Sequence, residues 1–175
     1  MSIKSVSAYS LVNASVRALY STMLTPETWN ALVQSQDFDS VLGILSKTVY
    51  APYLDLKREL LSPRRAVYQI KQHLAQAYDK AIRLTPDPGQ ELLLSLWRIY
   101  EVDDLKATLR GVETGTPWNQ ILLLLYPRSK HTNLTTETMQ RMAQSQSVVR
   151  AVELARSTPY YDTLSHALQR YREEQ

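Results

Sequence analysis

The chain has 175 residues, with 20 basic and 17 acidic side chains, a formal net charge of +3, four glycines and no cysteine. The absence of cysteine excludes disulfides and thiolate metal sites. Few glycines, against an average usage of about 7%, and abundant Ala, Leu, Gln, Arg and Glu favour helix over turn-rich β structure. We therefore expect an all-α protein built from helical bundle units.

The sequence also bears on location and on nucleic-acid binding. Its apolar runs are much shorter than the roughly 20 residues that span a bilayer, and its start lacks the apolar core of a secretory signal. We therefore expect a cytoplasmic protein without a transmembrane segment. Basic residues alternate with acidic ones, and the local cluster Arg64, Arg65 and Lys71 is better explained as a solvated helix face than as a nucleic-acid interface.

Three helices are predicted in the first 48 residues. The first covers residues 3–24, with an apolar stripe expected to be buried at Val6, Tyr9, Val16, Leu19, Tyr20 and Met23. Thr25, Pro26 and Glu27 have the order of an N-cap, a first-turn proline and a first-turn acid, and they predict a short second helix. Its inward residues are Trp29, Leu32 and Val33. Asp37 is expected to cap the third helix, with inward residues Phe38, Val41, Leu42 and Leu45.

Two longer helical patterns follow. Residues 54–84 are helical with an interruption at Ser62 and Pro63, and their inward residues are Val67, Ile70, Leu74, Tyr78 and Ala81. "TPDPG" at 85–89 is a turn, because two prolines and a glycine do not fit inside a helix. A long helix is predicted from 90 to about 113, with a core face of Leu92, Leu96, Ile99, Leu105, Leu109 and Val112. "ETGTPW" ends it, and the polar segment 126–133 is the main linker.

Residues 134–164 resemble residues 24–54 at a constant offset of 110, with ten of 31 positions identical and no gap. Fixed-offset similarity of this kind is typical of a duplicated unit. The predicted caps Asp37 and Ser147 correspond, and so do the two inward stripes, the second of which is Val148, Ala151, Val152 and Ala155. We predict that the two segments superpose within about two ångströms, and that the chain holds a first helical unit at 1–126 and an incomplete second unit at 127–175.

The second unit has only eleven residues after its repeated segment, so its apolar surface needs a cover from elsewhere. The residues concerned are Met139, Met142, Val148 and Val152. Large exposed apolar patches tend to find partners. We expect this surface either to pack on the long helices of the first unit or to pair between chains.

Three segments in this order resemble one known family. They are "NASVRALYSTML" at 13–24, "VLGILSKTVYAPYL" at 41–54 and "YEVDDLKATLRGVETGTPWNQILLL" at 100–124. The family is the C subunit of the archaeal and bacterial V-type ATPases, called the d subunit in eukaryotes. Matches to its motifs occur at Asn13, Val16, Arg17, Glu101, Leu105, Lys106 and Arg110. Two positions depart from it, since Ser15 stands where an arginine is usual and Asp104 stands where an asparagine is usual.

The resemblance implies a funnel-like, pseudo-threefold array of similar helical units, of which this chain contains one and the beginning of another. It implies a non-catalytic subunit without cofactor, located peripherally at the cytoplasmic face of the membrane. Its partners would be the central-stalk subunits and the proteolipid ring of a V-type ATPase, in which it couples the rotary motor to ion transport or ATP synthesis. A stand-alone helical adaptor remains the alternative, and an enzyme has the least support.

The dense carboxylate group Glu101, Asp103 and Asp104 is a candidate for metal binding or acid–base chemistry. Helical ion pairs with Arg98 and Lys106 explain it as well, and we favour this structural interpretation. The three histidines are scattered singly, and no phosphate-binding or nucleophile motif occurs. We therefore expect no catalytic, cofactor-binding or metal-binding residues.

Partner binding is the remaining candidate function for individual residues. Tyrosine and arginine are favoured at protein interfaces, because they combine apolar area with a polar end. Four of the eleven tyrosines lie at the ends of the repeated segments, where they either contact a partner or cap the helix core. The candidate partner-binding residues are Arg17, Tyr50, Tyr53, Glu101, Asp104, Lys106, Arg110, Tyr160 and Tyr161.

Overall fold

A computed structural model describes residues 3–173, with the side chains of residues 8–173. Within these residues the protein contains α-helices, one 3-10 helix and no strand, which confirms the predicted all-α class. The elements are α1 (Ile3–Tyr20), α2 (Pro26–Val33), α3 (Phe38–Leu45), α4 (Ala51–Leu54), the 3-10 helix (Arg58–Leu60), α5 (Pro63–Leu84), α6 (Gly89–Glu113), α7 (Trp118–Ile121), α8 (Thr136–Ala143), α9 (Val148–Leu154) and α10 (Tyr161–Glu173). No helix between residues 3 and 173 has both the length and the apolar character needed to span a bilayer.

The helix boundaries follow from local capping signals. The side chain of Thr25 accepts a hydrogen bond from the Thr28 backbone N–H, and that of Asp37 accepts one from the Ser40 N–H. The C-terminal end of α6 has a local signal as well, because Gly115, just after the helix, adopts a φ of 65°. Its N–H donates to the Val112 carbonyl, and the Thr116 N–H donates to the Gly111 carbonyl, a pairing that satisfies the last turn of a helix. The predicted caps and the predicted end of α6 are thus confirmed.

The chain divides into two compact units, residues 1–96 and 97–175. The boundary lies inside α6, so one continuous helix contributes residues to both units. The division predicted at residue 126 rests on the sequence repeat rather than on packing, and it stays a prediction. In the first unit α5 packs against both α1 and α4, and α2 packs against α3. Its buried apolar residues are Leu45, Leu61, Ala66, Ala75 and Ile82.

Several residues predicted to be inward are in fact exposed. They are Tyr9, Val16, Tyr20, Met23, Trp29, Val33, Val67, Leu92, Leu96 and Ile99. Periodicity identifies the apolar stripe of a helix correctly, but burial depends on a second element that covers the stripe. The prediction of a helix is therefore right at these positions, whereas the prediction of a buried face is wrong.

The second unit has a continuous core to which α6, α7, α8 and α9 contribute. Its buried residues are Leu105, Val112, Ile121, Leu125, Leu134, Met139, Met142, Ala151 and Ala155. Val148 packs against this core and Val152 is only 3% exposed. Of the two expectations for the apolar surface of α8 and α9, packing on the long helix is confirmed, and that helix is α6.

The two similar segments have matching local structure. Helices α2 and α8 are both eight residues long and begin 110 positions apart. The hydroxyls of Thr48 and Thr158 each donate to a carbonyl three residues earlier and accept from the backbone N–H two residues later. The backbone of the second segment differs at one position, where Gln146 has a positive φ of 57°. Duplication would produce such matches, and superposition of the two segments remains its test.

Candidate functional site

Two of the three clustered carboxylates point into the second unit. Glu101 and Asp104 lie one turn apart on α6 and each is only 1% exposed. Asp103, between them, is exposed and forms an ion pair with Lys106 at 3.3 Å, as the helical spacing predicts. The cluster therefore divides into one solvated carboxylate and two buried ones, and burying an ionised group demands compensating hydrogen bonds or charge.

Glu101 receives its hydrogen bonds from the linker and from the residue just before α10. Oε1 accepts from the Thr132 hydroxyl at 2.5 Å and from the Asn133 backbone N–H at 2.7 Å. Oε2 accepts from the Asn133 side-chain amide at 3.2 Å and from the Tyr160 hydroxyl. The donors are 31, 32 and 59 positions away in sequence, rather than one turn away at Arg98 as the helical spacing predicts. Glu101 therefore fastens the linker and the start of α10 to α6.

Asp104 holds the beginning of the same linker. Its Oδ1 accepts from the Tyr126 backbone N–H at 2.8 Å, and its Oδ2 forms an ion pair with the Arg128 guanidinium. Arg128 in turn donates to the carbonyls of Tyr126 and Leu134, and its side chain is only 16% exposed. The ion pair explains why a carboxylate is suitable at position 104, because an asparagine would leave the charge of Arg128 without its partner.

The buried carboxylates of Glu101 and Asp104 hold parts of the second unit together. Both carboxylate oxygens of Glu101 and Oδ1 of Asp104 accept hydrogen bonds from the protein itself, whereas Oδ2 of Asp104 is engaged by the ion pair with Arg128 and not by a hydrogen bond. Among residues 3–173, no group of three or more His, Cys, Asp or Glu is placed to hold a metal ion. The buried carboxylates thus organise the polar segment 126–133 and join it to the core helix α6.

The predicted tyrosines lie in two separate environments. In the first unit, the rings of Tyr50 and Tyr53 meet the His73 ring edge-on at centroid distances of 5.4 and 5.7 Å. The Tyr53 hydroxyl donates to the Gln76 amide oxygen at 2.7 Å, and burial raises the pKa of this tyrosine. These contacts join α4 to α5. The two tyrosines therefore contribute to the packing of helix ends. A role in partner binding for either of them stays a prediction.

In the second unit, Tyr160 donates to Glu101, and the Tyr161 hydroxyl donates to a Glu153 carboxylate oxygen at 3.2 Å. The guanidinium of Arg156 lies 5.7 Å from the centre of the Tyr161 ring, which is the range of a cation–π contact. Both tyrosines thus have polar partners inside their own unit. A role in partner binding for either of them stays a prediction.

The three basic candidates are exposed. The Arg17 Nε donates to the Asn13 side-chain oxygen at 3.3 Å near the end of α1, and Lys106 pairs with Asp103. Arg110 lies at the edge of an apolar groove of about 670 Å³ in the second unit. The groove is also lined by Leu109 of α6, Val152 of α9 and Leu168 of α10. The three basic side chains can reach a partner without disturbing the core.

Sequence reasoning misses Arg128, Thr132 and Asn133, because they lie in the segment that it identifies as a linker. The sequence does indicate that Glu101 and Asp104, the carboxylates that these residues contact, are buried. Both share a helical stripe with Leu105 and Val112. A carboxylate on a core-facing stripe requires a buried partner. The linker has no periodicity from which that partner could be identified.

We expect the stability of the protein to fall above about pH 10 partly because of Tyr160. Burial, and then the hydrogen bond to Glu101, raise the pKa of this tyrosine in the folded state. Above the ordinary pKa the unfolded chain loses a proton that the folded chain keeps, so the stabilisation is present below about pH 10 and is lost as the pH rises. Tyr160→Phe should remove up to about 1.4 kcal/mol per pH unit from the alkaline slope of stability.

Urea unfolding between about pH 8 and pH 11 measures this slope. Tyr20→Phe is the control, because Tyr20 is 74% exposed. An alkaline slope that is the same in Tyr160→Phe as in the original protein would contradict the prediction. At neutral pH the Tyr160→Phe protein should also be less stable, by about 1–3 kcal/mol, because Glu101 loses a hydrogen bond.

Comparison with known proteins identifies relatives of the chain. The family described as ATP synthase (C/AC39) subunit matches residues 12–175. The chain is 24% identical over 164 residues to the C subunit of the A-type ATP synthase of Methanocaldococcus jannaschii, covering 93% of this chain and 40% of that protein. The corresponding C subunits of Methanosarcina mazei and Methanosarcina acetivorans are each 25% identical over 162 residues, covering 92% of this chain and 44% of each relative.

The chain therefore spans about two fifths of the length of the curated relatives that it matches. No solved structure matches it significantly. The family match includes both α6 carboxylates and all of the second unit. Since it covers nearly the whole sequence and agrees with the resemblance drawn from the motifs, the chain belongs to the ATP synthase (C/AC39) subunit family.

Proposed function

We propose that this chain is a non-catalytic central-stalk subunit of a V-type or A-type ATPase, which couples the rotating stalk to the membrane proteolipid ring for ion transport. The observation that carries the proposal is the family match over residues 12–175, together with relatives named as the C subunit of an A-type ATP synthase. Its partners would be the stalk subunits and the proteolipid ring. It would lie at the cytoplasmic face of the membrane, held there by protein contacts.

The buried network supports a mechanical role. A protein that transmits torque must resist deformation, and hydrogen bonds to buried charges are stronger than those between neutral groups. Glu101 and Asp104 use such bonds to fasten the linker and the start of α10 to α6. Because their oxygens are engaged within the protein, they contribute to rigidity, whereas the exposed Arg17, Lys106 and Arg110 are the residues that we assign to partner contacts.

Affinity purification tests this proposal. The tagged chain should recover stalk and proteolipid subunits from detergent-solubilised membranes, and it should hydrolyse no ATP by itself. Triple charge reversal by Arg17→Glu, Lys106→Glu and Arg110→Glu should lower the recovery about tenfold or more, since charged rim residues govern encounter and specificity. Circular dichroism should show an unchanged helix content, because all three side chains are exposed.

A tagged stalk protein of known function serves as the positive control in the same membranes. A longer bait, extended to the length of the relatives, controls for contacts that residues 1–175 do not supply. If neither bait recovers ATPase subunits while the positive control does, the rotor assignment is wrong and a stand-alone helical adaptor becomes the better interpretation.

A further inference from the structure

A small pocket of the first unit lies between the end of α1, the start of α2 and the segment that follows α3. Its volume is about 280 Å³, and we call it the Lys47 pocket. Its lining includes Thr22, Met23, Leu24, Thr28, Lys47 and Thr48. Lys47 is exposed, and none of the side chains at 8–173 forms an ion pair with it. The pocket therefore carries a positive charge that no ion pair within the described residues neutralises.

The second unit holds a carboxylate at the corresponding position. The offset of 110 relates Thr22 and Met23 to two residues of the linker, Thr132 and Asn133. The Thr132 hydroxyl and the Asn133 backbone N–H both donate to Oε1 of Glu101, at 2.5 and 2.7 Å. Residues that bind a carboxylate in the second unit thus correspond to residues that line an open pocket in the first.

The helix starts beside the two positions also correspond. The hydroxyl oxygens of Thr25 and Thr28 lie 3.1 Å apart, and those of Thr135 and Thr138 lie 3.0 Å apart. In each pair the first threonine accepts from the backbone N–H of the second. The two positions therefore share local structure as well as sequence, which supports a comparison of what they bind.

The donors differ in one respect that bears on the ligand. In the first unit the Thr22 hydroxyl donates to a carbonyl of α1 at 2.7 Å, and the Met23 N–H donates to another at 3.1 Å. The first unit also has Lys47 where the second has Ser157. A charged donor makes a stronger hydrogen bond to a carboxylate than a neutral one does. Lys47 can therefore replace the backbone donor, and the Thr22 hydroxyl can join it by rotation of its side chain.

Glu27 is the acidic residue of the first turn of α2, and its charge has to be weighed against this interpretation. A hydrogen bond from Thr25 lowers the pKa of Glu27, so Glu27 is ionised at neutral pH. Its counterpart, Glu137, occupies the first turn of α8. The second unit retains this glutamate and nevertheless binds Glu101. A carboxylate in the first turn of the helix is thus compatible with a second one bound nearby.

The side chain that follows the bound carboxylate indicates the form of the ligand. Glu101 is followed one helical turn later by Leu105, which shares a buried core with Leu134. The residue that corresponds to Leu134 is Leu24, which lines the Lys47 pocket and is only half-buried. A helix that carries a glutamate and, four residues later, a leucine supplies both the carboxylate and the apolar cover.

We propose that the Lys47 pocket binds the glutamate side chain of an amphipathic helix from a partner protein, as the second unit binds Glu101 of its own α6. The ammonium group of Lys47 and the hydroxyl of Thr22 donate to the carboxylate, and a leucine one turn later packs on Leu24. This site is additional to the proposed coupling role and does not depend on it.

The test uses the whole chain and two stapled helical peptides that differ at one position. One peptide has glutamate there and the other has glutamine, and both have leucine four residues later. The glutamate peptide should bind about fivefold to tenfold more tightly at low salt, because only its carboxylate gains a charged donor. The preference should shrink as salt screens the charges. Anisotropy of the labelled peptides measures both affinities.

Substitution of Lys47 locates the binding site. Lys47→Gln should weaken binding of the glutamate peptide about threefold or more and remove the preference for it over the glutamine peptide. Lys80→Gln is the matched control, since Lys80 is an exposed lysine of α5 that does not line the pocket. It should leave the preference unchanged. In NMR spectra, the glutamate peptide should shift the amide signals of Thr22, Lys47 and Thr48.

Three results would overturn the proposal. One is equal affinity for the two peptides, or binding of neither. Another is a preference for glutamate that Lys47→Gln leaves intact. The third is displacement of the glutamate peptide by sodium acetate but not by sodium chloride at the same ionic strength, which would show that the pocket binds small carboxylates rather than a helix.

Discussion

Arg128→Met is expected to destabilise the protein by about 3–5 kcal/mol, because it leaves the carboxylate of Asp104 buried without its counter-charge. Asp104 is 1% exposed, and within the described residues its ion-pair partner is Arg128. The substitution also removes the donors to the carbonyls of Tyr126 and Leu134. Urea unfolding followed by circular dichroism measures the loss, which should be confined to the transition of the second unit if the two units unfold separately.

Adding Asp104→Asn to Arg128→Met should recover most of the lost stability. Asparagine keeps an oxygen that can accept the Tyr126 N–H but carries no charge, and replacing both partners of a buried pair is much less costly than removing one. Arg110→Met is the control, because Arg110 is an exposed arginine of α6, the helix that also carries Asp104. This substitution should change the stability by less than about 0.5 kcal/mol. A double variant as unstable as the sum of its two single substitutions would contradict this account of the ion pair.

Local signals are sufficient to predict the helices. Residue type and spacing alone identify Thr25 and Asp37 as N-caps, and both caps are present. The end of α6 at "ETGTPW" is similarly predictable, because glycine at the left-handed position is a local property of the backbone. Burial is less predictable. Trp29 and Met139 occupy matching positions on matching helices, yet one is exposed and the other is buried.

The candidate site shows the same limit. The spacing of Glu101 and Asp104 with Leu105 places both carboxylates on the inward face of α6, so their burial can be inferred from the sequence. Their partners cannot be inferred from the sequence in this way, because Arg128, Thr132 and Asn133 belong to a segment without helical periodicity. Pairing between a helix and an irregular segment about 30 residues away depends on the path of the chain in three dimensions, which one sequence does not reveal.

Gly111→Ala is expected to destabilise the second unit by about 1–3 kcal/mol, although alanine favours helix more than glycine does by about 1 kcal/mol. A Cβ atom at position 111 would lie 2.3 Å from the Cδ1 atom and 2.7 Å from the Cγ1 atom of Ile121. Ile121 is 0% exposed and is packed in the core with Leu105 and Leu125, so it has little room to move. Thermal or urea unfolding should therefore show a loss where helix propensity alone predicts a gain.

Gly43→Ala is the matched control, because a Cβ atom at that position of α3 would meet nothing within 4 Å. It should stabilise the protein by about 0.5–1 kcal/mol. Ile121→Val removes the Cδ1 atom that lies closest to position 111, so Gly111→Ala should cost less in the Ile121→Val protein than in the original one. The two substitutions together should then show a favourable coupling of about 0.5 kcal/mol or more. If Gly111→Ala stabilised the protein as much as Gly43→Ala does, close packing of α6 on α7 would not be the reason for glycine at position 111.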